Sequence, residues 1–333
     1  MKVSLCVVAY NEENSLPTLL SDIEKQTYDH SLIELVLIDS ASTDGTRHIM
    51  ETFQEKQNGF SAVLIRDNPK KILAAGCNIA IHESSGEVTI RVDAHARIPA
   101  DFVEKNIVRI KSGEDVVGGP RPNVVAETTP WKEVLLLAES SMFGSGIASF
   151  RRKTKEKKYV KSVFHGAYRR EVFEKAGVFN EKLGRTEDNE LNYRIRRAGY
   201  KICYDPDIIS YQYVRGTLRQ MMKQKYGNGY WVGLTTGVCP KCLSVYYFVP
   251  FSFCLAFFSS GLLCFRKRSA PFMLLNVAYW SADLLMTLES IKGKEWNIRY
   301  LLLPFIFFLL HVSYGLGTLV GLLKAPFMRN KLK

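Results

Sequence analysis

The fold of this chain is decided near its start by residues 3–12, which read VSLCVVAYNE. The run from Val3 to Ala9 is apolar or small throughout, and such continuity is typical of a strand buried on both faces of a parallel sheet. It ends abruptly in the polar residues Tyr10, Asn11 and Glu12. We therefore predict an α/β fold whose first strand delivers polar side chains to one edge of a sheet.

Further apolar runs and amphipathic stretches extend this pattern along the first two hundred residues. The runs lie at 35–38, 63–65, 88–92 and 116–117. Apolar residues at helical spacing occupy 15–26 and 70–84 between them. This alternation predicts a mainly parallel sheet flanked by helices.

Polar residues follow three of the predicted strands at the point where each strand ends. Asn11 follows the first run, Asp39 the second, and Asp93 and His95 the fourth. Ligands of open α/β sheets bind outside the carboxyl ends of the strands. Any one of these residues would also be explained as a helix cap or a turn residue. Because three strand ends carry them together, we favour a ligand site.

The sharpest of these segments is Asp93-Ala94-His95. A carboxylate and an imidazole two positions apart can converge on one divalent ion, and a carboxylate suits Mg²⁺ or Mn²⁺. Neither the P-loop pattern nor the dinucleotide-binding pattern G-x-G-x-x-G occurs in the chain. A bound diphosphate would therefore be held through the metal and through basic side chains, of which Arg91, Lys70 and Lys71 are available.

The order of these motifs resembles the inverting, family 2 type nucleotide-sugar glycosyltransferases with a GT-A fold. The similarity runs from Val3 to about Tyr230, and Asp-Ala-His in place of Asp-X-Asp resembles the succinoglycan-type exopolysaccharide branch. The matching segments are VAYNEE at 8–13, IDSASTDGT at 38–46, RVDAHA at 91–96, HGAY at 165–168 and ED at 187–188, together with Asn78. A mainly parallel GT-A sheet is the fold that this resemblance implies.

The resemblance also implies roles for individual residues. The residues assigned to the nucleotide-sugar, with UDP as the favoured nucleotide, are Ala9, Asn11, Glu12, Asp39, Asn78, Arg91 and Asp93. Asp93 and His95 are assigned to a Mg²⁺ or Mn²⁺ ion. His95 stands where the family pattern has a second aspartate. Replacing a carboxylate by an imidazole changes the affinity of the site for a metal ion.

The catalytic base is expected at the start of a predicted helix at 187–198. Leu191 and Ile195 lie four apart in it, and Gly199 ends it. The helix dipole stabilises an ionised carboxylate in the first turn, which suits a general base. Capping alone would also explain Glu187 and Asp188. The resemblance implies that Asp188 is the base, with His165, Gly166 and Glu187 on the acceptor side.

The segment QKYGNGYW at 224–231 does not match the Gln-x-x-Arg-Trp element of processive relatives. We therefore expect the addition of a single sugar to a lipid-linked saccharide in exopolysaccharide or cell-surface glycan synthesis. Direct transfer to polyprenyl phosphate is the alternative within the enzyme class. A non-catalytic nucleotide-binding membrane protein is the alternative outside it. A transporter is disfavoured, because too few apolar segments are present to build a pathway.

The last third of the chain is apolar in long blocks, at 243–265, 270–288 and 300–323. Each approaches the length that crosses a bilayer. We predict a GT-A domain at 1–235, a membrane region with up to three helices at 243–323 and a basic tail at 324–333. The clusters between the blocks are all basic, so multi-pass and re-entrant topologies both stay open.

The charge and the N-terminal sequence bear on the partners and the location of the protein. The chain carries 45 Lys and Arg against 33 Asp and Glu, a formal charge of +12. The basic run at 151–161 is either a solvated loop or a contact for anionic lipid or for a lipid-linked pyrophosphate acceptor. No nucleic-acid motif accompanies the charge, so we expect no nucleic acid partner. Because Met1 leads directly into the first strand, we expect the catalytic domain on the cytoplasmic face of the plasma or inner membrane.

Overall fold

The computed structural model describes residues 1–56, 59–125, 129–144 and 156–330, without the side chains of 329 and 330. The chain forms two compact units. The α/β unit comprises Met1–Pro122 and Ser149–Tyr213, and the helical unit comprises Asn123–Ala148 and Val214–Lys333. The division into domains at 1–235, 243–323 and 324–333 stays a prediction, because compactness does not test which residues act together. The first five residues of the basic run lie outside the described residues.

The elements follow one another in the described residues as strands and helices of very different lengths. The strands are β1 (Val3–Ala9), β2 (Ile33–Asp39), β3 (Ala62–Asp67), β4 (Val88–Asp93), β5 (Ala96–Arg97), β6 (Val116–Gly118), β7 (Asn123–Val124), β8 (Lys158–Tyr159), β9 (Ala167–Arg169), β10 (Ile202–Tyr204) and β11 (Tyr211–Tyr213). The helices are α1 (Leu16–Glu24), α2 (Thr46–Glu55), α3 (Leu73–Glu83), α4 (Phe102–Lys111), α5 (Pro130–Ser140), α6 (Arg170–Ala176), α7 (Glu187–Arg197), α8 (Leu218–Thr235), α9 (Val249–Cys264), α10 (Ala270–Ile291) and α11 (Leu303–Asn330).

The α/β unit is built on a mainly parallel sheet. Within the described residues its strand order is β3-β2-β1-β4-β9-β6-β10-β8. β1 pairs in parallel with β2 and β4, which sets Ala9 beside Asp39 and Val8 beside Asp93. β9 runs antiparallel to both β4 and β6. The predicted sheet is confirmed, and β1 begins and ends where the apolar run of the sequence does.

Both faces of the central strands are buried, which explains why these strands read as continuous apolar runs. Leu5 and Leu37 pack on one face in a core shared with Leu19 of α1. Cys6 and Ile38 pack on the other face in a cluster that contains Ala80 of α3. The helices therefore cover the sheet on two sides and leave the carboxyl ends of β1, β2 and β4 as the place where polar side chains collect.

The helical unit has its own core and two unusually close helices. Leu135 of α5, Met221 of α8 and Phe307 of α11 belong to one buried cluster. A Cβ added at Gly317 or Gly321 of α11 would lie 2.1 Å from the carbonyl oxygen of a residue of α8. Glycine therefore lets the two backbones touch, as small residues do in membrane helix pairs.

Two stretches of the described helical unit are long and apolar enough to cross a membrane, Val245–Cys264 and Ile298–Met328. They correspond to the first and third apolar blocks of the sequence. The middle block forms α10, which carries the polar residues Asn276 and Asp283 and does not meet the same criterion.

Candidate active site

Residues that the sequence assigns to the nucleotide hold the loops after β1 and β2 through hydrogen bonds. Asn11 accepts the backbone N–H of Thr43 on its Oδ1 at 2.8 Å. Asp39 accepts the backbone N–H of Ser42 at 3.1 Å. The backbone N–H of Glu12 donates to Thr46 Oγ1 at 2.7 Å. These contacts, with Ala9 beside Asp39 in the sheet, bring four predicted residues to one edge.

The backbone at this edge is held in an uncommon conformation. Asn11, Ala41 and His165 have φ values of 54°, 56° and 47°. Non-glycine residues in this left-handed region are uncommon, and they persist where the surrounding structure holds them, often at ligand sites. His165 joins the edge because it precedes β9, whose first residue Ala167 pairs with Ile90 of the antiparallel neighbour β4.

Arg91 lies at the centre of the charged cluster. Its Nη1 lies 2.5 Å from Asp188 Oδ1 and its Nη2 lies 3.2 Å from Asp93 Oδ1. Burial alone would raise the pKa of Asp93, but the guanidinium of Arg91 and the neighbouring imidazoles bring that pKa well below its usual value. Asp93 is therefore an ionised carboxylate, as a metal ligand must be.

His165 connects the cluster to a serine that the sequence did not single out. Its Nδ1 lies 2.9 Å from Ser210 Oγ, and its Nε2 lies 3.4 Å from Asp93 Oδ2. Burial lowers the pKa of His165 and outweighs the carboxylate of Asp93, which raises it. The carbonyl of Gly166 accepts the backbone N–H of Arg91 at 3.1 Å. His165 thus contacts the side chain of Asp93, and Gly166 holds the backbone of Arg91.

Glu187 opens α7 next to Asp188 and is buried. Burial, followed by the negative charge of Asp188, raises the pKa of Glu187 to about 7. Among the described residues, its Oε2 has no hydrogen-bond partner. The first turn of α7 carries three acidic residues, Glu187, Asp188 and Glu190. Asp188 is held by Arg91, whereas Glu187 keeps its proton to a higher pH than an exposed glutamate does.

Asn78 lies in α3 and its amide group is engaged with another part of the unit. Its Oδ1 accepts the backbone N–H of Phe179, and its Nδ2 donates to the carbonyl of Phe179 and to Glu181. These bonds give Asn78 a structural role in holding the 179–181 segment. Its assignment to the nucleotide-sugar stays a prediction.

The described residues contain no group of three or more His, Cys, Asp or Glu side chains that could hold a metal ion. Two protein ligands suffice where a substrate diphosphate and water complete the coordination, which is how Mg²⁺ is commonly bound. Asp93 offers an ionised carboxylate. His95 is oriented by a second carboxylate, since its Nδ1 lies 3.1 Å from Glu12 Oε1, an arrangement common behind metal-binding histidines. In their chemistry, the carboxylate of Asp93 and the imidazole of His95 therefore suit a divalent ion.

Sequence reasoning missed three residues of this neighbourhood besides Ser210. Arg121 lies over the ring of Phe164, with 3.6 Å from Cζ to the centroid, and it donates to Gln212 Oε1. Gln212 Nε2 lies 3.3 Å from His95 Nε2. The Gly-Gly-Pro at 118–120 marks a turn just before Arg121 and would have been a usable signal. Nothing local distinguishes Gln212.

Comparison with known families decides the class of this site. A model described as Glycosyl transferase family 2 matches residues 4–177, just over half of the chain. The chain belongs to glycosyltransferase family 2. It is therefore a glycosyltransferase, and the predicted enzyme class is confirmed.

Two relatives of this family 2 glycosyltransferase show how far the similarity extends. The dolichyl N-acetyl-alpha-D-glucosaminyl phosphate 3-beta-D-2,3-diacetamido-2,3-dideoxy-beta-D-glucuronosyltransferase of Methanococcus voltae is 26% identical over 97% of both chains. Succinoglycan biosynthesis protein ExoA of Rhizobium meliloti is 31% identical over 59% of this chain and 58% of its own length. The predicted resemblance to the succinoglycan branch is thus confirmed, over 59% of this chain.

A solved structure supports the fold. The mannosyltransferase PcManGT from Pyrobaculum calidifontis, in complex with GDP-Man and Mn²⁺, superposes with a TM-score of 0.59. The match covers 96% of this chain and 87% of that chain at 19% identity. The predicted GT-A architecture of this family 2 glycosyltransferase is confirmed.

Proposed function

We propose that this family 2 glycosyltransferase transfers one sugar, with inversion, from a nucleotide-sugar to a lipid-linked saccharide. The observation that carries the proposal is the position of Arg91, which binds Asp93 and Asp188 within one partly buried cluster. Asp93 belongs to the side of the donor diphosphate and Asp188 to the side of the acceptor. One guanidinium thereby sets the distance between the two halves of the reaction.

Asp188 acts as the general base. The acceptor hydroxyl oxygen forms a bond to the anomeric carbon while its proton passes to the Asp188 carboxylate. The bond from the anomeric carbon to the diphosphate breaks, and its electron pair leaves with the diphosphate. Because Arg91 holds Oδ1 of Asp188, we assign the proton to Oδ2. Asp188 lies in the first turn of α7, at the positive end of the helix dipole.

The donor is held by the residues at the ends of β1, β2 and β4. The loops carrying Asn11 and Asp39 surround the nucleotide, for which UDP is our proposal. A Mg²⁺ or Mn²⁺ ion bound at Asp93 and His95 would supply electrostatic stabilisation of the leaving diphosphate. Arg91 contributes positive charge to the same region, and Glu187 and His165 shape the acceptor side.

The helical unit supports an acceptor that is anchored in a membrane. Of its two membrane-length stretches, Val245–Cys264 is 11% buried in the protein and Ile298–Met328 is 39% buried. The name of the Methanococcus voltae relative describes a sugar carried on a dolichyl phosphate as its acceptor. We propose attachment to the plasma or inner membrane, multi-pass or re-entrant, with the catalytic unit on the cytoplasmic face.

The proposal is tested by transfer of label from UDP-, GDP- and dTDP-sugars to defined polyprenyl phosphates, with and without a first sugar. Membranes carrying the full chain are assayed with Mg²⁺, with Mn²⁺ and with chelator. We expect labelling from one donor into the sugar-bearing lipid alone. Asp188→Asn should lower the rate by about 100- to 10,000-fold, the usual contribution of a general base.

Asp207→Asn is the matched control, because this exposed aspartate loses the same charge outside the cluster. It should retain the wild-type rate. Equal labelling of the lipid that lacks a first sugar would favour direct transfer to polyprenyl phosphate. Full activity of Asp188→Asn would remove the assigned base.

A further inference from the structure

Four side chains of the α/β unit form a continuous hydrogen-bonded chain through His95. Arg121 donates to Gln212 Oε1. Gln212 Nε2 lies 3.3 Å from His95 Nε2, and His95 Nδ1 lies 3.1 Å from Glu12 Oε1. Only Glu12 and His95 of these four were expected at the site.

The direction of these hydrogen bonds follows from the Arg121 end of the chain. A guanidinium can only donate, so Oε1 of Gln212 faces Arg121 and its NH₂ group faces His95. An amide nitrogen can only donate, so Nε2 of His95 accepts the hydrogen of Gln212 and carries no hydrogen of its own. The ring hydrogen then lies on Nδ1, toward Glu12. Gln212 therefore occupies the electron pair of Nε2.

The backbone places Gln212 where this contact requires it. β11 pairs antiparallel with β5, and Gln212 lies opposite Ala96, the residue after His95. The backbone N–H of Gln212 also donates to the carbonyl of Pro122 at 3.2 Å, next to Arg121. Two strand-like segments therefore hold Gln212 between the two side chains that it connects.

We propose that Gln212 is a positioning residue that caps the metal-binding nitrogen of His95 and is displaced when a divalent ion binds. The inference rests on the proposed function, in which Asp93 and His95 hold that ion. An imidazole nitrogen has one electron pair, so Gln212 and the ion compete for it. Glu12 helps binding because its contact with Nδ1 orients the ring, whereas Gln212 opposes binding because it occupies Nε2. Removal of these two side chains should therefore have opposite effects.

The test measures Mn²⁺ binding to the full chain in detergent, without any sugar donor. Electron paramagnetic resonance reports the affinity, and electron spin echo modulation reports an imidazole nitrogen bound directly to Mn²⁺. Nitrogen NMR of His95 without metal reports its tautomer. We expect Gln212→Ala to bind Mn²⁺ about three- to ten-fold more tightly, the equivalent of one net hydrogen bond. Glu12→Ala should bind more weakly and show mixed tautomers.

Two further variants make the outcome decisive. Tyr213→Phe alters β11 next to Gln212 and should leave Mn²⁺ affinity unchanged, and His95→Ala should lose the nitrogen modulation. Equal or weaker Mn²⁺ binding by Gln212→Ala, or nitrogen modulation that persists in His95→Ala, would overturn the proposal. So would an absence of Mn²⁺ binding by all variants. Because no sugar is present, these results are independent of whether the proposed transfer reaction is correct.

Discussion

The α/β unit and the helical unit place their large apolar side chains in opposite ways. In the α/β unit Leu5, Leu37 and Phe102 are buried around the sheet. In the helical unit a long series of large apolar side chains is exposed, among them Leu255, Leu262, Phe265, Met273, Leu274, Val277, Leu285 and Phe327. A surface that faces water rarely carries so many exposed large apolar side chains. The two units are therefore built for different solvents.

Each of the two units contains a cation bound to carboxylates away from the surface, but we assign a function to one of these clusters only. Arg91 of the α/β unit holds two carboxylates, Asp93 and Asp188. Lys225 of the helical unit lies 2.9 Å from Glu139, with both side chains at most 7% exposed. We propose that the Arg91 cluster contacts the substrates, whereas the Lys225–Glu139 pair stabilises the packing of the helical unit. The comparison teaches that a buried ion pair acquires a function from the residues that surround it.

The strongest test of this difference is to replace each cation in turn. Arg91→Met and Lys225→Met should each lower the free energy of unfolding by about 3–5 kcal/mol, because each leaves buried carboxylate charge without that cation. Thermal unfolding in detergent measures the loss. Sugar transfer per folded molecule should be abolished in Arg91→Met and retained in Lys225→Met. Comparable transfer by both variants would mean that the two clusters do not differ in function.

A second prediction concerns the close pair of helices α8 and α11 in the helical unit. In Gly321→Val, the added Cβ would lie 2.1 Å from the carbonyl oxygen of Tyr230. The helices must separate. We therefore expect the free energy of unfolding to fall by about 3 kcal/mol, which is the upper end of the range for overpacked cores. Gly216→Ala is the control, because an added Cβ there meets no described atom within 4 Å. Unchanged unfolding of Gly321→Val would show that α8 and α11 can move apart freely.

The smallest expected effect is a pH dependence that belongs to the α/β unit. Folding raises the pKa of Glu187 from 4.5 to about 7, so the folded protein binds more protons than the unfolded chain between these values. The free energy of unfolding should therefore fall by about 2 kcal/mol as pH rises from 5 to 7, since one pKa unit corresponds to about 1.4 kcal/mol.

Glu187→Gln should flatten this part of the pH profile, measured by chemical denaturation at each pH. Glu174→Gln, an exposed residue of the neighbouring α6, should keep the slope of the wild type. A slope that survives in Glu187→Gln would assign the pH dependence to another group.

Much of the α/β unit was predictable because its signals are local. Apolar runs specify β1 to β4, and the polar residues that end them specify Asn11, Asp39 and Asp93 as site candidates. The short elements were not predictable, because β5 and β11 contain two and three residues and carry no periodicity. The three apolar blocks were visible as well, yet only two of them form stretches that meet the length and hydropathy of a membrane span.

The sequence by itself determined the parallel sheet, the family motifs and the apolar character of the last third, because each depends on residues close together in the chain. The tertiary structure alone decided that Arg91 holds Asp188 and that Gln212 faces His95. Glu12 and His95 are 83 positions apart, and His95 and Gln212 are 117 apart. Contacts of that range depend on strand order and register, which no local pattern encodes.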